Sequence, residues 1–153
     1  MSTLVTGVLA VGAAYKVGRS QLELQRRQIS IQELTLKHEL FDRRYSVYDR
    51  TAKFLSAIVR DGDRPAIEVM NNFVQAIGES RFLFDVGVKN GLREIWEQAT
   101  SFFALKSKMD ANFKSNQDYG EGNPEKDMQF MLWFSDRLTN LPDLFHAIRL
   151  RHE

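Results

Sequence analysis

The residues of this chain whose types and spacing could do chemistry are three histidines and a scatter of carboxylates. Asp143 and His146 stand three apart, His38 and Asp42 four apart, and Glu94 and Glu97 three apart, so on helices each pair would share a face. A di-iron helical bundle needs two carboxylate-x-x-His pairs and two further carboxylates. The sequence holds one such pair, with aspartate in place of glutamate, and the third histidine, His152, adds none. Ordinary ion pairs and helix-end charges account for these spacings without a metal. The chain has no cysteine, which removes disulfides, thiolate metal sites and cysteine nucleophiles together. Gly78, Gly87 and Gly91 fit neither nucleotide fingerprint. No serine stands in a nucleophile-elbow context. Asp61-Gly62-Asp63 looks like a fragment of a calcium loop but lacks the downstream ligands, and reads as a capped turn. No enzyme, cofactor or metal is expected.

Nucleic acid is a second possible target of the side chains. Arg43, Arg44, Arg50, Lys53 and Arg60 enrich one long helical stretch, with Tyr45 and Tyr48 between them. The tyrosines fall on the apolar stripe of that helix and Asp42 and Asp49 interrupt the arginines, which argues against nucleic acid as a partner.

The elements that would position these groups are helical throughout. Gly and Pro number only 9 and 3 in 153 residues, and the stretches between them are rich in good helix formers. A 43% hydrophobic fraction with 11 Phe, 4 Tyr and 2 Trp suffices for a real core. The first helix runs without a breaker from Gln21 to Arg60, with an apolar stripe expected at Leu34, Phe41, Tyr45, Tyr48, Ala52, Leu55 and Val59. Glu23–Arg27, Glu33–Lys37, Glu39–Arg43 and Asp49–Lys53 are set for i, i+4 pairs. Asp61-Gly62-Asp63 ends that helix, and Pro65 suits the first turn of the next.

The second helix is expected over about 65–77, with Ile67, Met70, Phe73, Val74 and Ile77 inward and Gly78 closing it. Arg81-Phe82-Leu83-Phe84 could be an extended link or one helical turn, and Asp85 can cap the third helix. That helix runs from about Val86 to Phe113, with Val88, Leu92, Ile95, Ala99, Phe102, Met109 and Phe113 as its stripe and Gly91 as a weak point. Residues 114–123 read as a loop. A fourth helix starts near Pro124 with Met128, Met131, Phe134, Leu138 and Leu141 inward. Pro142 restarts it, and Leu144, Phe145 and Ile148 finish the core. The expected fold is all-α, an antiparallel helical bundle with an extended N-terminal helix, in which Phe41, Tyr48, Phe102 and Phe134 are buried together.

Three segments differ in character: an apolar helix over residues 1–17, a stalk over 18–33, and the bundle over 34–153. Thr3 to Val17 carries one charge, Lys16, near its end. As a helix, residues 1–17 would reach about 25 Å against a hydrocarbon core of roughly 30 Å, a borderline span. Burial in a protein core is the competing reading. Thr6, Ala10 and Ala14 recur at four-residue spacing, which lets helix backbones approach closely in lipid. Lys16, Arg19, Arg26 and Arg27 follow, and the positive-inside rule then puts the bulk of the chain in the cytoplasm. From Lys16 to Arg60 there are 10 basic and 5 acidic residues, and from Asp61 to Glu153 there are 11 basic and 15 acidic, so the first helix is basic and the rest mildly acidic.

The stalk has no single apolar face. Val17, Leu24 and Ile31 lie on one side, and Leu22, Ile29 and Leu36 on the nearly opposite side, each set repeating every seven residues. Gln21, Gln25, Gln28 and Gln32 form a polar stripe between them. A helix with two ridges suits a position between two neighbours, as in a ring or higher coiled coil. Chance recurrence in a helix propagated from the bundle would give the same pattern.

Leu40-Phe41-Asp42-Arg43-Arg44-Tyr45-Ser46-Val47-Tyr48-Asp49 resembles a motif of uncharacterised bacterial proteins that have an N-terminal membrane helix, a long basic helix and a small cytosolic bundle. Arg81-Phe82-Leu83-Phe84-Asp85 and Leu141-Pro142-Asp143-Leu144-Phe145 are similar to later landmarks of the same family, so that the resemblance covers about residues 20–150. It implies an anchored bundle and brings no activity. The N-terminal apolar run is shorter here than in that family.

These observations lead to the expectation of a non-enzymatic, membrane-tethered helical interaction module, with membrane lipid, further copies of itself and an unidentified protein as partners. Its expected place is the bacterial inner membrane, most of the chain cytoplasmic. Residues expected to serve the membrane and the oligomer are Thr6, Ala10, Ala14, Leu22, Leu24, Ile29 and Ile31. A membrane-perturbing effector of a bacterial defence or toxin system is the alternative, and a soluble helical adaptor a further one.

Overall fold

The computed structural model describes the backbone of residues 2–116 and 118–146 and the side chains of residues 16–115 and 118–146. The fold is all-α, a bundle-like helical arrangement with no strand among the described residues. Five helices follow in order: α1 Ser2–Asp61, α2 Ile67–Leu83, α3 Val86–Asn116, α4 Asn123–Thr139 and α5 Leu141–Leu144. The chain divides into two compact units between Leu40 and Phe41. The first is the N-terminal part of α1. The second contains the rest of α1, α2 to α5 and the core.

In the second unit α3 is the central element and packs against α2, α4 and α5. Its buried stripe is Val88, Leu92, Ile95, Ala99, Phe102 and Met109, as the 3–4 spacing predicts. Phe113, expected on that stripe, is 47% exposed and stacks instead on Tyr119. Asp85 caps α3, its Oδ1 accepting a hydrogen bond from the Val88 N–H at 3.2 Å.

α1 supplies Val47, Thr51, Phe54, Leu55 and Ile58 to the core. This face is turned about one residue from the expected stripe. Tyr45 and Leu34 are exposed, Phe41, Tyr48, Ala52 and Val59 are only partly buried, and Leu55 alone of that stripe is fully covered. The sequence offers two adjacent apolar faces here, and the inner one is set by the fit of Phe54 onto Phe73 of α2, with ring centroids 4.2 Å apart. Thr51 is tolerated at 0% exposure because its hydroxyl donates to the Val47 carbonyl at 2.7 Å. Of Phe41, Tyr48, Phe102 and Phe134, Phe102 and Phe134 lie in the core and Tyr48 packs half-buried against it, while Phe41 is not part of it. Phe102 meets Phe134 edge-on at 5.5 Å, whereas Tyr48 meets Phe145, and Phe41 stacks along its own helix on Tyr45.

α2 differs most from expectation. It continues through Gly78 to Leu83, which makes Arg81-Phe82-Leu83 its last turn and Phe84 its extended C-cap. Gly78 costs about 1 kcal/mol of helix propensity. Burial of Phe73, Ala76 and Ser80 on either side of it outweighs that cost. Ile67 and Val74, expected inside, are exposed, and Pro65 precedes the N-cap Ala66 rather than opening the helix.

Gly91 is not a weak point. A Cβ there would lie 2.6 Å from Leu144 Cδ1, so the missing side chain is the space that α5 occupies. Pro142 restarts the helix after Asn140, and Leu141 and Phe145 are buried as the sequence suggests. Ile148, also expected there, lies outside the described residues. Met128 on α4 is 65% exposed rather than inward. Lys106 on α3 and Asp127 on α4 form an ion pair at 2.8 Å.

Candidate self-association surface

Leu22, Leu24, Ile29 and Ile31 are 57%, 62%, 55% and 63% exposed. Val17, Leu34 and Leu36 on the same helix are exposed to a similar degree. An isolated surface leucine needs no explanation. Four leucine and isoleucine side chains on two ridges, each more than half exposed, are a different matter. Of the expected ion pairs, Glu23–Arg27 forms at 3.9 Å and Asp49–Lys53 at 2.6 Å. Thr6, Ala10 and Ala14 belong to α1 by backbone, but their side chains lie outside the described residues. Among the described residues, no helix is long and apolar enough to cross a membrane.

At 3–4 spacing the sequence carries Leu22, Ile29, Leu36 and Leu40 into register with Val47, Phe54 and Ile58. Of this one register, the members from Val47 on are at 0% exposure and the members up to Leu40 are bare. The other ridge, Val17, Leu24 and Ile31, runs into His38, Asp42 and Asp49, all polar.

A further surface was not singled out from the sequence. Phe82 is 90% exposed at the end of α2, beside an open hollow of about 470 Å³ lined by Arg43, Glu79, Phe82 and Leu83. α1 holds this corner in place. Arg44 Nε donates to the Leu83 carbonyl at 3.0 Å, satisfying one of the free carbonyls at the end of α2, and its guanidinium lies 5.8 Å from the Phe84 ring centroid. Glu79 is neutralised by an ion pair with Arg50. Arg43 and Arg81 make no ion pair among the described residues. The sequence signal was the run Arg81-Phe82-Leu83-Phe84, whose conformation decides which phenylalanine is core. As a helix end it sends Phe84 inward, at 9% exposure, and Phe82 outward.

The candidate metal pairs do not converge. Glu94 is bound by Arg137 at 2.7 Å, and His146 Nδ1 lies 3.0 Å from the Asp143 carbonyl oxygen. No group of three metal-ligating side chains is present among the described residues. At the end of α1, the hydrogen bond from Arg60 holds the Asp61 carboxyl below its usual range. That is what a solvent-facing ion pair does and marks no site. Comparison of the chain with models of protein families, with curated proteins and with solved structures finds no match.

Proposed function

We propose that this chain is a non-enzymatic, membrane-tethered helical module that associates with copies of itself through α1 and presents its bundle to a protein partner. The observation that carries the reading is the pair of bare ridges, Leu22 with Ile29 and Leu24 with Ile31, each 55–63% exposed. Burying one such side chain contributes about 1.5–3 kcal/mol, so four per chain are enough to drive side-by-side association. The tether rests on the sequence of residues 3–17 and on the cations that follow it, and the cytoplasmic placement of the bundle rests on the same cations.

Mass photometry of the detergent-solubilised full chain tests the assembly. Oligomers are expected, and Leu24→Gln with Ile31→Gln should reduce them to smaller species while the circular-dichroism melt of the bundle stays in place. A folded monomer in the wild type would refute self-association. Fractionation with a C-terminal compartment reporter tests the tether. Recovery of the full chain as a monodisperse soluble species without detergent would refute that part.

A further inference from the structure

The two ridges divide the circumference of the stalk unequally. Val17 and Leu22, Leu24 and Ile29, and Ile31 and Leu36 each stand five residues apart. At about 3.6 residues per turn, that step is one full circle and roughly 140° more, so the ridges lie roughly 140° apart across one side of α1 and roughly 220° across the other. The narrow side between them carries Gly18, Gln21, Gln25, Gln28 and Gln32 and no charge. The wide side carries Arg19, Glu23, Arg26, Arg27, Glu33 and Lys37, which are all the charged residues between Val17 and His38. Leu34 is the one large apolar residue among them. The Glu23–Arg27 pair on this side is well exposed, as suits a face turned to water.

Geometry and charge choose the same side to be enclosed. In a closed ring each helix touches two neighbours, and the directions to them subtend less than a straight angle on the side of the axis. Ridges that each meet a neighbour therefore turn the narrow side inward. Turned inward instead, the wide side would bring Arg26 of every copy towards every other Arg26, and Glu33 likewise, like against like in a confined space. The glutamines converge without repulsion. A square of about four helices sets its neighbours at right angles. The wider angle between these ridges suits a larger ring, in which inward side chains do not meet across the axis. Amides there stay satisfied only if water fills the space, because an amide that loses water without gaining a partner is costly. We propose that the assembled stalks enclose a water-filled bore lined by Gln21, Gln25, Gln28 and Gln32 of each copy, with the charges of the stalk on its outer surface. The lining offers donors and acceptors without charge, so the bore suits water and small uncharged polar solutes and gives apolar ones no foothold. This inference rests on the self-association proposed above and adds which side of α1 the assembly encloses.

The absence of cysteine makes the test clean. Gln28→Cys, on the narrow side, and Ser30→Cys, on the wide side, are made singly in the full chain. Each is kept in detergent as the oligomer and offered a small methanethiosulfonate reagent or a maleimide coupled to a globular protein. Gln28→Cys should react with the small reagent and lose reaction with the bulky one, whereas Ser30→Cys should react with both. Adding Leu24→Gln and Ile31→Gln, which separate the copies, should open Gln28→Cys to the bulky reagent. Reaction of Gln28→Cys with the bulky reagent in samples that mass photometry reports as oligomers would put the glutamines outside and overturn the proposal, leaving self-association intact. Closure to both reagents, or oxidation to a linked dimer, would mean a dry seam and overturn it equally. A monomeric wild type would remove the self-association reading itself. As a second measurement, Gln28→Glu sets like charges around the axis and should weaken assembly about tenfold at low salt, the loss shrinking as salt enters the bore. Ser30→Glu should leave assembly unchanged. Equal effects of these two changes would contradict the assignment of sides.

Discussion

α1 contains one apolar register under two conditions. From Val47 to Ile58 it is covered by α2 and α3 and closed to 0% exposure. From Leu22 to Leu40 the same spacing continues and the same residue types are 40–64% exposed. The chemistry of the side chains is alike, and among the described residues the two regions differ in exposure alone. Helix propensity alone makes a poor reason to keep leucine and isoleucine at Leu22, Ile29 and Leu36, because Gln, Lys or Glu there would serve a helix as well and would suit water better. The self-association proposed above would cover the bare half with a second copy.

The comparison can be broken most forcefully at its covered end. Phe54→Ala should lower unfolding stability by about 3–5 kcal/mol, read from a thermal or denaturant melt, because it removes a fully buried ring stacked on Phe73. An unchanged melt would mean that the inner face of α1 is not where the core lies. Gly91→Ala comes next. The added methyl meets Leu144 at 2.6 Å, and the overpacking should cost about 1–3 kcal/mol. Leu144→Ala should recover part of that loss by making room, whereas a purely conformational role for the glycine would leave the two changes simply additive. Asp85→Ala removes the cap of α3 and should cost about 1 kcal/mol, with Asp85→Asn retaining most of it. At the bare end, Ile29→Ala in a dilute, monomeric sample should move the melt by less than about 0.5 kcal/mol. The same change under assembling conditions should lower the oligomer fraction. A large effect of Ile29→Ala on the monomer would erase the contrast between the two regions.

Much of this arrangement was legible in the sequence and some was not, for identifiable reasons. The stripe of α3 could be read directly because Val88, Leu92, Ile95, Ala99 and Phe102 stand on one face with polar residues opposite. The inner face of α1 could not, because Tyr45, Tyr48 and Ala52 offer a second apolar face one residue away and only the match of Phe54 to Phe73 chooses between them. The full length of α2 is hidden because Gly78 signals a helix end locally, while the burial that carries the helix past it involves other elements. The part Gly91 plays is hidden for a related reason: its partner, Leu144, lies far later in the chain, and no local signal reports it. The ridges were visible as heptads. The Arg43–Phe82 corner was not, because it takes a contact between α1 and the end of α2 to bring those residues together.

The notch at Gly91 has a consequence for the order of events during synthesis. α5 is four residues long and has too few hydrogen bonds to persist alone. It is held by Leu144 in that notch and by Phe145, edge-on against both Tyr48 and Phe84. These side chains leave the ribosome after every other described member of the core cluster. A nascent chain that has already made α1 to α4 therefore carries an open seat between α1, the α2 end and α3, with Tyr48 and Phe84 facing water until Leu141–Phe145 emerge. The bundle cannot seal residue by residue as it is made; closure waits for one late plug, and the interval before it is when the chain is most open to a chaperone, a protease or an aggregating neighbour.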